Sequence, residues 1–170
     1  MRHMWMATAA AATLLAGAAP AAAQTCSANP CTVAVNASAT VNQLLSLTLS
    51  STSTDLGTPT ASDFDAGQLD AVGPNAQVKA NTPWHVDVVG AAGTFGWTGT
   101  GTNPNKNASD LQWGTVAGTY GSNMGSSAAL FSGNATAGTS QDIFFRTLWS
   151  WASDIAGTYT LTINFTLAAP

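Results

Sequence analysis

Between Gly157 and Pro170, the residues Tyr159, Leu161, Ile163, Phe165 and Leu167 take every second position, and Thr160, Thr162, Asn164 and Thr166 fill the gaps. Successive side chains of a strand point to opposite faces, so this alternation predicts a β-strand with one apolar and one polar face. β-branched and aromatic residues suit a pleated, half-covered surface, and an apolar face of this size needs a second layer above it. The rest of the chain must supply a partner sheet.

Several other stretches repeat the pattern. Thr32–Ala39 alternates through Val33, Val35 and Ala37, and Gln43–Ser50 through Leu45, Leu47 and Leu49. Gln77–Asn81 reads as a short strand, and Trp84–Val88 as the next, with Trp84, Val86 and Val88 inward and His85 and Asp87 outward. Leu111 and Trp113 lie two apart on a further short strand, and Gly114–Ser140 carries no clear period. In Gln141–Trp149, Ile143, Phe145 and Trp149 share a face while Phe144 and Leu148 make the other partly apolar, as in a central strand. Ser153–Gly157 is then expected to return this strand into the terminal one as a hairpin. Asp63–Gly67 reads as a turn and Asn103–Asn107 as a polar loop. No segment beyond the N-terminal leader shows helical periodicity.

Arg2 and His3, an Ala-rich apolar run to Gly17, Pro20 and then Ala21-Ala22-Ala23 have the layout of a secretory signal, cut after Ala23. The run falls short of the roughly 20 residues a spanning helix needs, so no membrane span is expected. Residues 24–170 then form one domain, with 24–40 as an N-terminal extension. This part keeps Lys79, Lys106 and Arg146 against eight aspartates and no glutamate, a formal charge of −5. Without a basic stripe a phosphate backbone has nothing to bind, so nucleic acid is excluded as a partner. The scarcity of Lys and Glu also argues against surface helices. Cys26 and Cys31 form a close, even pair that in an exported chain reads as a structural disulfide. The expected fold is an all-β, two-sheet antiparallel sandwich of immunoglobulin-like type, with a jelly roll or closed barrel as alternatives.

Catalysis has little material here. His85 and Asp87 share a strand face, but a triad is a matter of geometry, and serine is everywhere in the sequence. No catalytic residue, cofactor or enzymatic activity is expected. Asp63, Asp65 and Asp70 are oxygen ligands in one region and the weak candidates for calcium, although the Asp-x-Asp-x-Asp-Gly spacing is absent. Among the tryptophans, Trp84 and Trp149 fall on inward phases. Trp97, Trp113 and Trp151 lie near loops or strand ends, where an indole can stack on a sugar ring, and are the tentative ligand-binding residues.

Trp84-His85-Val86 together with Tyr159, Ile163, Leu167 and Pro170 resembles the bacterial WxL-type surface domain, with Val86 at the Leu position and Asn164-Phe165 where that family has Thr-Trp. The resemblance implies an exported sandwich that attaches non-covalently to the cell wall, so a wall polymer or surface glycan is the implied partner. The chain is also similar to fimbrial and coat-type subunits, exported sandwiches that lend a strand to a neighbour. That second resemblance implies self-association, with the Val33–Ala37 segment as donor. The expected function is a non-catalytic secreted protein of the cell surface, cell wall or periplasm that binds wall material or another surface ligand. The alternative is a structural subunit assembling into fibres or a coat.

Overall fold

The computed structural model describes residues 25–170. The chain divides into two units at the Thr40–Val41 junction. In the first, a disulfide joins Cys26 to Cys31. The expected strand over Thr32–Ala39 is not formed: these residues belong to no strand and their side chains are exposed, Val35 at 87 %. The physical reason is local. A lone strand with small apolar side chains has no intrinsic stability and forms only when a sheet edge accepts it.

The second unit, Val41–Pro170, is built of antiparallel sheets in a sandwich-like all-β arrangement. Its elements are β1 (Leu45–Leu49), a short helix α1 (Ala61–Ala66), β2 (Gln68–Ala80), β3 (Trp84–Gly90), β4 (Gly96–Gly99), β5 (Leu111–Gly114), β6 (Ser122–Asn123), β7 (Ala128–Gly133), β8 (Thr136–Leu148), β9 (Gly157–Thr160) and β10 (Ile163–Ala168). One sheet has the order β1-β2-β8-β5-β6, a second β10-β3-β7, and β4-β9 form a small third. Ala76 and Val78 of β2, Trp84, Val86 and Val88 of β3, Leu111 and Trp113 of β5 and Ile143 and Phe145 of β8 pack into a single buried cluster. His85 and Asp87 face outward, as the alternation of β3 requires.

β2 is far longer than the expected Gln77–Asn81. Val72 pairs with Phe144 but Asn75 with Asp142, so one extra residue enters β2 at Gly73-Pro74. Proline has no N–H for the ladder, and glycine is tolerated where another chain crowds in; here a Cβ on Gly73 would lie 2.6 Å from the Phe145 ring. The extra residue moves the inward phase from Leu69 and Ala71 to Ala76 and Val78. A strand whose period breaks in its middle does not read as one strand.

β8 has the central place expected of a strand apolar on both faces, between β2 and β5. Its expected hairpin with the terminal strand does not form. Both edges of β8 are occupied, and the chain after Trp149 turns instead, with Ser153 and Asp154 N–H donating to the Ser150 carbonyl, and crosses to the other sheets. The terminal alternation holds throughout, with Tyr159, Leu161, Ile163, Phe165 and Leu167 half-buried and the threonines exposed. It is nevertheless split: β9 pairs with β4, and β10 pairs with β3 from Ile163↔Gly90 to Ala168↔His85.

The expected turn at Asp63–Gly67 is the helix α1. Thr60 donates both its N–H (2.8 Å) and its hydroxyl (2.6 Å) to Asp63 Oδ2, closing the N-terminus, and Gly67 at φ 73° closes the other end. Six residues are too few for a hydrophobic period to appear, so the caps were the readable signal.

Candidate functional site: an open cleft at the sheet edges

Of the ligand and metal candidates singled out from the sequence, the structure joins Trp151 to Asp65 by a hydrogen bond. Trp113 is a core residue, 4 % exposed on β5; its place follows from the inward phase it shares with Leu111. Trp97 is half-buried on β4, its ring against Gly99 and Gly157 so that a Cβ at either glycine would collide with it. Only Trp151 of the three is open, at 64 % exposure, stacked on Phe64.

The three aspartates also separate. Asp63 caps α1, and the Thr60 side chain and backbone bonds hold its carboxyl below the usual aspartate range. Asp65 accepts the Trp151 indole N–H at 3.0 Å. Asp70 takes the Arg146 guanidinium in a two-pronged bond, 2.6 and 2.9 Å, and that bond lowers its pKa. Among the described residues no group of three His, Cys, Asp or Glu side chains is placed to hold a metal ion. His85 Nε2 and Asp87 Oδ2 lie 3.8 Å apart on the outer face of β3. Ser132 is the cross-strand partner of His85, and their side chains are not hydrogen-bonded to each other.

A broad concavity lies where the sequence pointed to none. β1 ends the five-stranded sheet and β10 ends the three-stranded one, and these two edge strands come into contact. Beyond that contact the layers part into a cleft of about 600 Å³. Its floor is apolar and aromatic, with Phe95, Phe145, Trp149, Tyr159 and Phe165, and its rim is hydroxyl-rich, from the Ser51–Pro59 loop and Thr158, Thr160 and Thr162. The terminal alternation thus does two things: its apolar face lines the cleft and its polar face meets water.

The wall of the cleft is held by a group the sequence hid. Lys106, expected in a polar loop, is 5 % exposed. Its Nζ donates to the Leu148 carbonyl and to both oxygens of Asp154 at 3.0 Å, lies 3.5 Å from Asp110, and sits 4.6 Å from the Trp149 ring centroid. Tyr159 adds a second tie at the start of β9. Its hydroxyl donates to the Ile155 carbonyl (2.8 Å) and accepts the Ile155 N–H (3.0 Å), and burial raises its pKa. This bond ties Tyr159 of β9 to backbone four residues upstream.

On the cleft floor, Thr147 Oγ1 and Trp149 Nε1 are buried without a hydrogen-bond partner. The cleft offers no nucleophile–base pair, and its one carboxylate, Asp55, accepts the Gly57 N–H at 2.8 Å. Its surface suits an extended apolar segment, with main-chain bonding available at the free edges of β1 and β10. Among the described residues no helix is long and apolar enough to cross a membrane. No protein-family model matches the chain, and no curated protein matches it.

Proposed function

We propose that the protein is a non-catalytic, exported surface subunit with an immunoglobulin-like sandwich that assembles by strand donation. The Thr32–Ala39 segment of one copy enters the cleft of the next and joins its sheet edge. The observation that carries this is the open side of the sandwich: two edge strands flank an apolar cleft, while the same chain carries an alternating segment that belongs to no strand. Val33, Val35 and Ala37 would face the aromatic floor, and the donor backbone would bond to the edge. The Tyr159 hydroxyl bond to the Ile155 backbone is of the kind that immunoglobulin-like sandwiches make at a strand corner, and it supports that part of the reading. Export is supported by the layout of residues 1–23, which lie outside the described residues, and by the Cys26–Cys31 bond.

Wall or glycan binding through Trp97, Trp113 and Trp151 is the second reading. It keeps one specific observation, the open face of Trp151. Truncation separates the two. The protein lacking residues 24–40 should remain folded and monomeric, whereas the protein that retains them forms SDS-resistant ladders and filaments under the electron microscope. Equal assembly by both forms would remove the Thr32–Ala39 segment from the mechanism.

A further inference from the structure

We propose that Trp151 and Asp65 form a binding site for a neutral pyranose sugar, separate from the strand-receiving cleft. Trp151 stands on the turn after β8 and Asp65 on α1, and neither lines the cleft. The indole is fixed without being covered. Its N–H is held by Asp65 Oδ1 at 3.0 Å and its ring rests on Phe64, centroids 4.7 Å apart and planes 33° apart, yet 64 % of the residue is open.

A large apolar ring left this exposed has no packing role that accounts for the two contacts holding it. Orientation fixed before a ligand arrives removes an ordering cost from binding. The support continues inward, since Phe64 lies 5.7 Å from Trp149 and Trp149 carries the Lys106 ammonium at 4.6 Å.

The chemistry selects the ligand. A free indole face packs against the C–H face of a sugar ring, and a carboxylate beside it accepts hydroxyl hydrogens. Asp65 is exposed, and among the described residues its Oδ2 has no partner. Lys106 and Arg146 are engaged by Asp154 and Asp70, and among the described residues no basic side chain contacts Trp151 or Asp65. An acidic polymer would therefore meet a carboxylate with no compensating cation, so the site fits a neutral hexose or N-acetylhexosamine chain.

The test follows the indole N–H resonance of Trp151 in ¹⁵N-labelled protein, assigned with Trp151→Phe. The probes are cellotetraose, mannotetraose and a β-1,4-linked N-acetylglucosamine tetramer, with oligogalacturonate as acidic control. At least one neutral probe should shift that resonance saturably, and the acidic control should not. By isothermal titration calorimetry, which needs no Trp151 reporter, Trp151→Ala and Asp65→Asn should each weaken binding roughly tenfold or more, while Trp151→Phe keeps most of it. Circular dichroism establishes that each variant is folded, and truncation of residues 24–40 should leave sugar binding unchanged. No shift with any neutral probe, equal binding by Trp151→Ala, or equal binding of the acidic control would overturn the proposal without touching strand donation.

Discussion

Thr147 holds a hydroxyl, 1 % exposed, on the floor of the cleft with no partner. A buried unpaired polar group costs about 1–3 kcal/mol, so Thr147→Val, which keeps the shape and removes the hydroxyl, should raise the stability of the monomer by about 1 kcal/mol. Urea denaturation of the chain lacking residues 24–40 measures it; an unchanged or lower midpoint would mean that the hydroxyl finds a partner. Lys106 and Asp154 act in the opposite sense. Their side chains are 2 % and 5 % exposed, so Lys106→Met strands a buried carboxylate and should cost about 3–5 kcal/mol, while adding Asp154→Leu should recover much of the loss. A double-mutant cycle by denaturation reads the coupling. Acid acts on Asp63 and Asp70, both held below the ordinary aspartate range. A lowered folded-state pKa contributes stability above the unfolded value, about 3.9, that is lost as pH falls through the folded value. Stability should therefore decline below about pH 4, with both carboxyl carbons titrating below the ordinary value in an NMR series. Asp70 is exposed enough for screening to keep its share small.

Among the elements, strands with an unbroken period were legible and those with a break were not. β3, β5 and the second half of β8 follow from their alternation because burial on one face selects it. β2 escaped because the extra residue at Gly73-Pro74 exchanges its faces, and α1 because its six residues make fewer than two turns. The terminal strand shows the limit most clearly: alternation gave its inward face, but not its neighbours, which depend on which edges are already taken. The bulge is open to test. Gly73→Val would drive a side chain into the Phe145 ring and the Ile143 carbonyl, 2.6 and 3.0 Å from an added Cβ, and should destabilise by about 2 kcal/mol or more. A thermal melt that matches the parent would show that β2 and β8 can part there without loss.

At the scale of the whole molecule, the cleft was illegible because it belongs to no motif. Its walls come from the Ser51–Pro59 loop and the Gly157–Phe165 region, brought together only by the positions of β1 and β10 at the ends of their sheets. The Thr32–Ala39 segment was legible as an alternating stretch, and that it belongs to no strand is what the structure adds. An unpaired edge is a hazard unless something covers it, and a second copy of the chain is the cover proposed here. The most direct measurement uses a nitroxide on Val35→Cys in one batch of protein and ¹⁵N-labelled chain lacking residues 24–40 in another. Strand donation requires that mixing broaden the amides of Ser51–Pro59 and Thr158–Phe165 selectively and leave β5 and β6 unchanged. If the mixed chains associate while those cleft amides stay sharp, the segment is bound elsewhere and the account of assembly is wrong.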